Sequence, residues 1–181
     1  FFDLHSHLLF GVDDGAKTRD EMCAMLDMAY ADGTRAMCLT PHFSPYLFGD
    51  TYQSSQDAFE VLTAYASQTY PDLKLFLGHE LGYFEACTDA LRSGRCRTLA
   101  GSRYLLVDFP ENVSFFEIRS AINRLRGEGY SPVLAHAERY PALVGNLKWV
   151  EAFVAEGGIV QVNASSAVGG WGRTAKSQWK K

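Results

Sequence analysis

Short apolar runs of β type alternate along this chain with stretches whose apolar residues recur every three or four positions. No other feature of the sequence narrows the fold so much. FFDLH (1–5), RAMCLT (35–40), LKLFLGHEL (73–81), SRYLLVDF (102–109), SPVLAH (131–136) and GGIVQVN (157–163) read as strands. Between the first two, Thr18-x-x-Glu21 forms a capping box, and Met22, Met25, Leu26 and Ala29 then keep helical spacing up to Gly33. Ser114-x-x-Glu117 opens a second such helix, which stops near Gly127 and Gly129. Further helices are expected over 54–68, directly after strand three, and over 146–156. Alternation of this kind implies an α/β fold of parallel strands joined by helical crossovers. A barrel and an open doubly wound sheet both satisfy it. The open sheet would favour a glycine-rich turn after strand one, where this chain has His-x-His, so the barrel is the expectation.

With 181 residues, 47% of them hydrophobic, the chain can bury one core, and residues 1–181 read as a single domain. The net charge of −4 argues against nucleic acid or an anionic membrane as the main partner, because both reward clustered Lys and Arg. No apolar run reaches the roughly 18 residues of a membrane span. The first residues lack the basic start and apolar block of a signal peptide. Cys23, Cys38, Cys87 and Cys96 are widely spaced, fitting free thiols in a reducing cytoplasm. None has an Arg six positions later, so the Cys-x5-Arg phosphate loop of thiol phosphatases is absent. The missing initiator Met and the helix-like opening GRTAKSQWKK at the end give the expectation of a fragment.

The chemistry-bearing residues collect where the strands end. Strand one delivers Asp3, His5 and His7, with Asp13 and Asp14 just beyond. Strand two delivers His42, strand three His79 and Glu80, and strand four Asp108. Strand five brings His136, Glu138 and Arg139, and strand six Asn163. All five histidines of the chain stand at such positions, the face on which parallel α/β folds build their sites. Singly, each has an ordinary explanation: a turn, a cap or a packed imidazole. Together they do not. In a strand, positions i and i+2 project to one side, so His5 and His7 can reach one cation. Imidazoles with carboxylates suit zinc, iron or manganese, and the ligand balance suits more than one ion, with Glu80 as a bridge. His79 neighbours Glu80 along the strand and is expected to point the other way, as a structural residue. Paired divalent ions activate water and hold a leaving oxygen in attack on phosphorus. Arg139 can then fork onto phosphoryl oxygens, unless it pairs with Glu138 or Glu111. Phosphoester hydrolysis fits best, with amide or deaminase-type hydrolysis as the alternative.

The segments DLHSH, GVDDGAKT, TPHF, GHEL and AHAERY, in this order and spacing, resemble the polymerase and histidinol phosphatase (PHP) superfamily. Within it they are most similar to the bacterial metal-dependent protein-tyrosine phosphatases of capsular and exopolysaccharide operons. QVNASSAVGGWGR extends the likeness beyond strand six. The resemblance implies a distorted (β/α)7 TIM-like barrel and two or three divalent ions, manganese first, then iron, zinc or cobalt. It implies hydrolysis of phosphotyrosine by a metal-bridging hydroxide, on the tyrosine-rich tail of a cytoplasmic autokinase. His5 and His7 match ligands of one metal, His42 and His136 ligands of a second, Asp14 a ligand of the third, and Glu80 the bridge. Asp108 stands where the family usually has Glu, one methylene longer. Arg139 matches a phosphate-contacting arginine. Ala137 replaces a frequent Pro, and Phe43 a frequent second His. The family's Asp-x-His pair follows the strand carrying Asn163, so these 181 residues by themselves are expected to lack the last strand and to hold one metal weakly. The competing readings are a small-molecule phosphatase, such as one for histidinol phosphate, and an inactive metal-binding remnant that docks a partner or assembles as a homo-oligomer. Phe43, Tyr46, Phe48, Tyr52, Phe115 and Phe116 are candidate rim aromatics.

Overall fold

In the computed structural model, which describes residues 1–167, the chain divides into two compact units, Phe1–Arg103 and Tyr104–Lys181. The first unit opens with β1 (Phe2–Ser6) and α1 (Arg19–Ala31). It continues through β2 (Ala36–Leu39), β3 (His42–Phe43), α2 (Tyr52–Thr69), β4 (Lys74–Leu77), β5 (Glu80–Gly82) and α3 (Cys87–Arg92). The expected capping box forms: Thr18 Oγ1 accepts from the Glu21 amide, and the Glu21 carboxylate accepts from the Thr18 amide. A cap of this type contributes about 1 kcal/mol. Met22 and Leu26 of α1 then bury fully against Leu62 of α2 and Met37 and Leu39 of β2. Each buried Leu contributes roughly 1.5–3 kcal/mol.

β1, β2 and β4 form a parallel sheet in that order, and β3 pairs in parallel with β5. The stretch expected to be one strand over 73–81 is therefore two. Gly78 donates to Leu39 O and Glu80 to Pro41 O, so the chain jogs at Gly78–His79 beside a matching jog at Thr40–Pro41. Pro41 has no N–H for a ladder, and a Cβ on Gly78 would lie 3.2 Å from Leu99 Cα. After the jog, His42 and Glu80 become register partners. β3 leaves no mark in the sequence pattern, because two residues carry no periodicity.

His79, between the two strands, is fully buried and turned from its neighbour Glu80: its Nδ1 accepts from the Arg97 amide, and its ring lies against Phe43. Burial, reinforced by the Arg97 charge, pushes its pKa down to about 3. The unfolded chain binds a proton at this residue near pH 6.5 and the folded chain does not. The contribution of His79 to stability is therefore level above pH 6.5 and falls below it, by up to about 1.4 kcal/mol per pH unit. Urea unfolding between pH 7 and pH 4.5 should show this slope in the wild type and a shallower one in His79→Gln. Equal slopes would remove His79 from the account.

The second unit contains β6 (Tyr104–Asp108), α4 (Phe115–Gly127), β7 (Ser131–Leu134), α5 (Leu147–Ala155), β8 (Ile159–Val160) and α6 (Ala164–Ala167). β6, β7 and β8 pair in parallel, in that order. α4 starts at the expected Ser114–Glu117 box and buries Phe115, Ile118, Ile122 and Leu125 along one stripe. β8 is shorter than the run over 157–163 suggests. In neither unit do the strands close into a ring among the described residues. The helix expected at the end, GRTAKSQWKK, lies outside them. No described helix is long and apolar enough to cross a membrane.

Candidate metal centre

Four side chains of the first unit converge on one point. Glu80 is buried, and its Oε2 lies 3.3 Å from His5 Nε2, 3.2 Å from His7 Nε2 and 3.1 Å from His42 Nδ1. The two strand-one imidazoles also face each other, Nε2 to Nε2, at 3.1 Å. Each element contributes for a local reason. The register of β1 on β2 is irregular between Asp3 and Ser6, around His5, and such bulges re-aim side chains. The β3–β5 register sets His42 beside Glu80.

The loop after β1 then folds back on the site. Asp13 is buried. Its Oδ2 accepts from the His42 amide at 2.9 Å and meets His7 Nδ1 at 2.8 Å, while its Oδ1 accepts from the Gly15 amide. Asp14 stays exposed at the rim, with Oδ1 3.6 Å from His42 Nε2 and 4.0 Å from His7 Nδ1. Adjacent aspartates thus do different work, and Asp13, absent from the expected ligand set, is the one that holds His7. The signal is present in Asp13-Asp14-Gly15, but sequence alone does not say which carboxylate turns inward.

Burial opposes protonation of His7, yet hydrogen bonds and charge from Asp13 and Glu80 prevail and raise its pKa to about 10. Burial likewise opposes ionisation of Asp13, but the His7 partner outweighs it and holds Asp13 at about 2. With Nδ1 committed to a carboxylate, His7 offers Nε2, the arrangement that orients metal-ligating histidines. Asp13→Asn should therefore weaken Mn2+ binding about tenfold to a hundredfold. Calorimetric titration of the metal-free protein reads this, and an unchanged affinity would confine Asp13 to shaping the loop.

Donor atoms about 2.1 Å from one cation stand about 3.0–3.4 Å apart. The spacing among His5, His7 and Glu80 matches that interval, His42 Nδ1 approaches the same Glu80 oxygen, and the donors are hard oxygen and imidazole without thiolate, so the residues present fit a divalent cation. A second group, His7, Asp13, Asp14 and His42, offers atoms within 4.8 Å of one another. The cysteines take no part. Cys38, Cys87 and Cys96 are buried, and burial pushes Cys38 up to about 11 and Cys96 higher still. A thiolate nucleophile has no candidate here.

The second unit gathers its own polar group. Asp108 Oδ1 accepts from Tyr140 Oη at 2.8 Å and from the Phe109 amide at 2.7 Å, and lies 3.6 Å from His136 Nε2. His136 adopts a left-handed conformation, φ 31°, unusual for a residue with a Cβ. Its amide donates to Gln161 Oε1, and Gln161 Nε2 donates to Asn163 Oδ1, so Asn163 steadies the residue that steadies His136. Glu138 is buried and accepts from the Asn163 amide and Ser166 Oγ. Arg139 is half-buried and closes a single 3-10 turn by donating its amide to His136 O. Tyr140 gives no sign of this role in the sequence, because an aromatic after Arg139 reads as core.

Of the candidate rim aromatics, Phe43 is core and Tyr52 lies beneath the Arg97 guanidinium. Phe115 is buried, and Phe116 packs with it and Trp149. Phe48 stacks on His42, and Tyr46 is exposed beside Phe84.

Known proteins resemble this chain in sequence and in fold. The tyrosine-protein phosphatase CpsB of Streptococcus pneumoniae is 33% identical over 162 residues, covering 90% of this chain and 67% of that protein. The tyrosine-protein phosphatase YwqE of Bacillus subtilis is 25% identical over 175 residues, covering 97% of this chain and 69% of its own length. Crystal structures of YwqE and CpsB, described as unique metal-dependent tyrosine phosphatases, share the fold: the TM-score is 0.87 at 24% identity, over 98% of this chain and 72% of the other. The family model for capsular polysaccharide synthesis, CpsB/CapC, matches residues 1–181, and the chain belongs to that family.

Proposed function

We propose that this chain is a cytoplasmic metal-dependent phosphatase that hydrolyses phosphotyrosine, on the tyrosine-rich tail of a cytoplasmic autokinase governing capsular polysaccharide synthesis. One observation carries the reading: two imidazoles and a buried carboxylate held at the spacing of ligands around a cation, with a third imidazole on the same carboxylate, in a chain whose relatives bear that activity. Divalent cations bound there, manganese foremost, supply Lewis-acid polarisation of a phosphoryl oxygen and acidify water at neutral pH. Glu80 sets the negative charge at the centre, and Asp13 fixes the orientation of His7. Asp14 reaches in from the rim as a further ligand. His136 and Asp108 are proposed as ligands from their match to the PHP pattern, with Tyr140 orienting Asp108. The Arg139 guanidinium is proposed to bind phosphoryl oxygens in its planar fork. The distorted (β/α)7 barrel, with residues 1–181 as one domain, remains the architecture proposed for the catalytic body.

The test is hydrolysis of a phosphotyrosine peptide and of p-nitrophenyl phosphate, before and after chelation and with Mn2+ restored. Chelation should abolish turnover and Mn2+ should return it. Arg139→Ala should lower kcat/KM on the order of a hundredfold, as loss of one transition-state donor does. Chelator-resistant turnover, or preference for histidinol phosphate over the phosphopeptide, would overturn the reading.

A further inference from the structure

The loop after β3 carries a feature that metal ligation does not need. The amides of Leu47 and Phe48 both donate to Ser44 O, at 3.1 and 2.9 Å, curling Pro45–Leu47 outward and returning Phe48 towards the site. Gly49 follows at φ +72°, a conformation that lets the chain leave the turn at once. Phe48 thereby lies flat on the His42 imidazole, with ring centroids 4.7 Å apart and planes 3° from parallel. His42 in turn touches Glu80 at 3.1 Å. A half-buried aromatic ring thus stands one imidazole away from the cation-binding cluster. Nearby, Tyr46 and Leu47 are 83% and 78% exposed, and Tyr46 sets its ring edge-on against Phe84.

We infer that Phe48 is a specificity-determining residue: it is the surface against which the aryl ring of the substrate packs, selecting aryl over alkyl phosphomonoesters. The inference rests on the phosphatase reading above and names what that site prefers. An aryl phosphate whose phosphoryl group meets the Glu80–histidine cluster carries its ring a single ester oxygen away. A neighbouring aromatic plane there gains area burial and offset stacking, while an alkyl ester gains little of either. The turn on Ser44 presents the ring ready-placed, so little ordering is required on binding.

Binding of phenylphosphonate and methylphosphonate, neither hydrolysable at its P–C bond, separates the possibilities when measured by calorimetry on the Mn2+-loaded protein with metal content checked in each variant. The wild type should favour phenylphosphonate. Phe48→Ala should weaken phenylphosphonate about three- to tenfold, the range expected for one aromatic pair, and leave methylphosphonate essentially unmoved. Phe48→Leu, which keeps apolar cover over His42, should fall between. Equal weakening of both ligands would mean that Phe48 only steadies His42, and unchanged affinities for both would mean that the ring meets no substrate; either overturns the inference and leaves the phosphatase reading intact. Failure of the wild type to bind either phosphonate would overturn both.

Discussion

Glu80→Gln should eliminate phosphatase turnover to within about a hundredth of wild type or less, while leaving the helical circular-dichroism signal unchanged. Gln keeps the size of the side chain but removes the anion at the centre of three imidazoles. A cation then meets a neutral donor set, and the amide nitrogen can point a donor where a ligand is needed. Elemental analysis should show metal lost together with activity. In the metal-free protein the same change withdraws one of the carboxylates that hold a proton on His7, so the His7 pKa should fall from about 10. NMR titration of the imidazole reads that shift without any assay of turnover. Full activity and metal content in Glu80→Gln would refute the proposed centre.

Gly15→Ala should cost about 2–4 kcal/mol of stability and disable the site as well, although Gly15 offers no ligand. A Cβ at Gly15 would stand 2.0 Å from His7 O, and backbone on both sides leaves no flexible end to yield. The loop must therefore lift from the end of β1. Lifting it parts the Ala16 amide from His7 O, and Asp13 from His7 and the His42 amide. Thermal unfolding should show a lower Tm, and Mn2+ titration a weakened site. A stable variant with normal metal affinity would show that the loop does not need to approach His7 so closely to hold the site.

Much of the fold and of the site is legible in the residues themselves, and the reason differs from element to element. Helices α1 and α4 announce themselves through local chemistry, since a capping box and a 3.6-residue stripe need only neighbours in sequence. The same local rule puts His5 and His7 on one side of a strand, and the rings do meet. His79 turns from Glu80 as expected, although the chain jogs there and the two are not neighbours on one strand. Other features depend on what lies alongside. One apolar run becomes β4 and β5 because the neighbouring chain breaks at Pro41, and no periodicity in 73–81 encodes that partner. Asp13 and Asp14 are the same residue type in the same turn, and only the return of the loop onto His7 buries one and exposes the other. Phe48 and Tyr46 are equivalent as rim aromatics in the sequence, and a turn on Ser44 lays only one of the rings on His42.

The sequence by itself determined the α/β alternation, the helix starts and the supply of imidazoles and carboxylates at strand ends, because these follow from contacts between residues a few positions apart. Only the tertiary structure decided which carboxylate orients His7 and where the third strand breaks. Those outcomes are set by pairing between segments distant in the chain, where a shift of one residue in register would send every side chain to the opposite face.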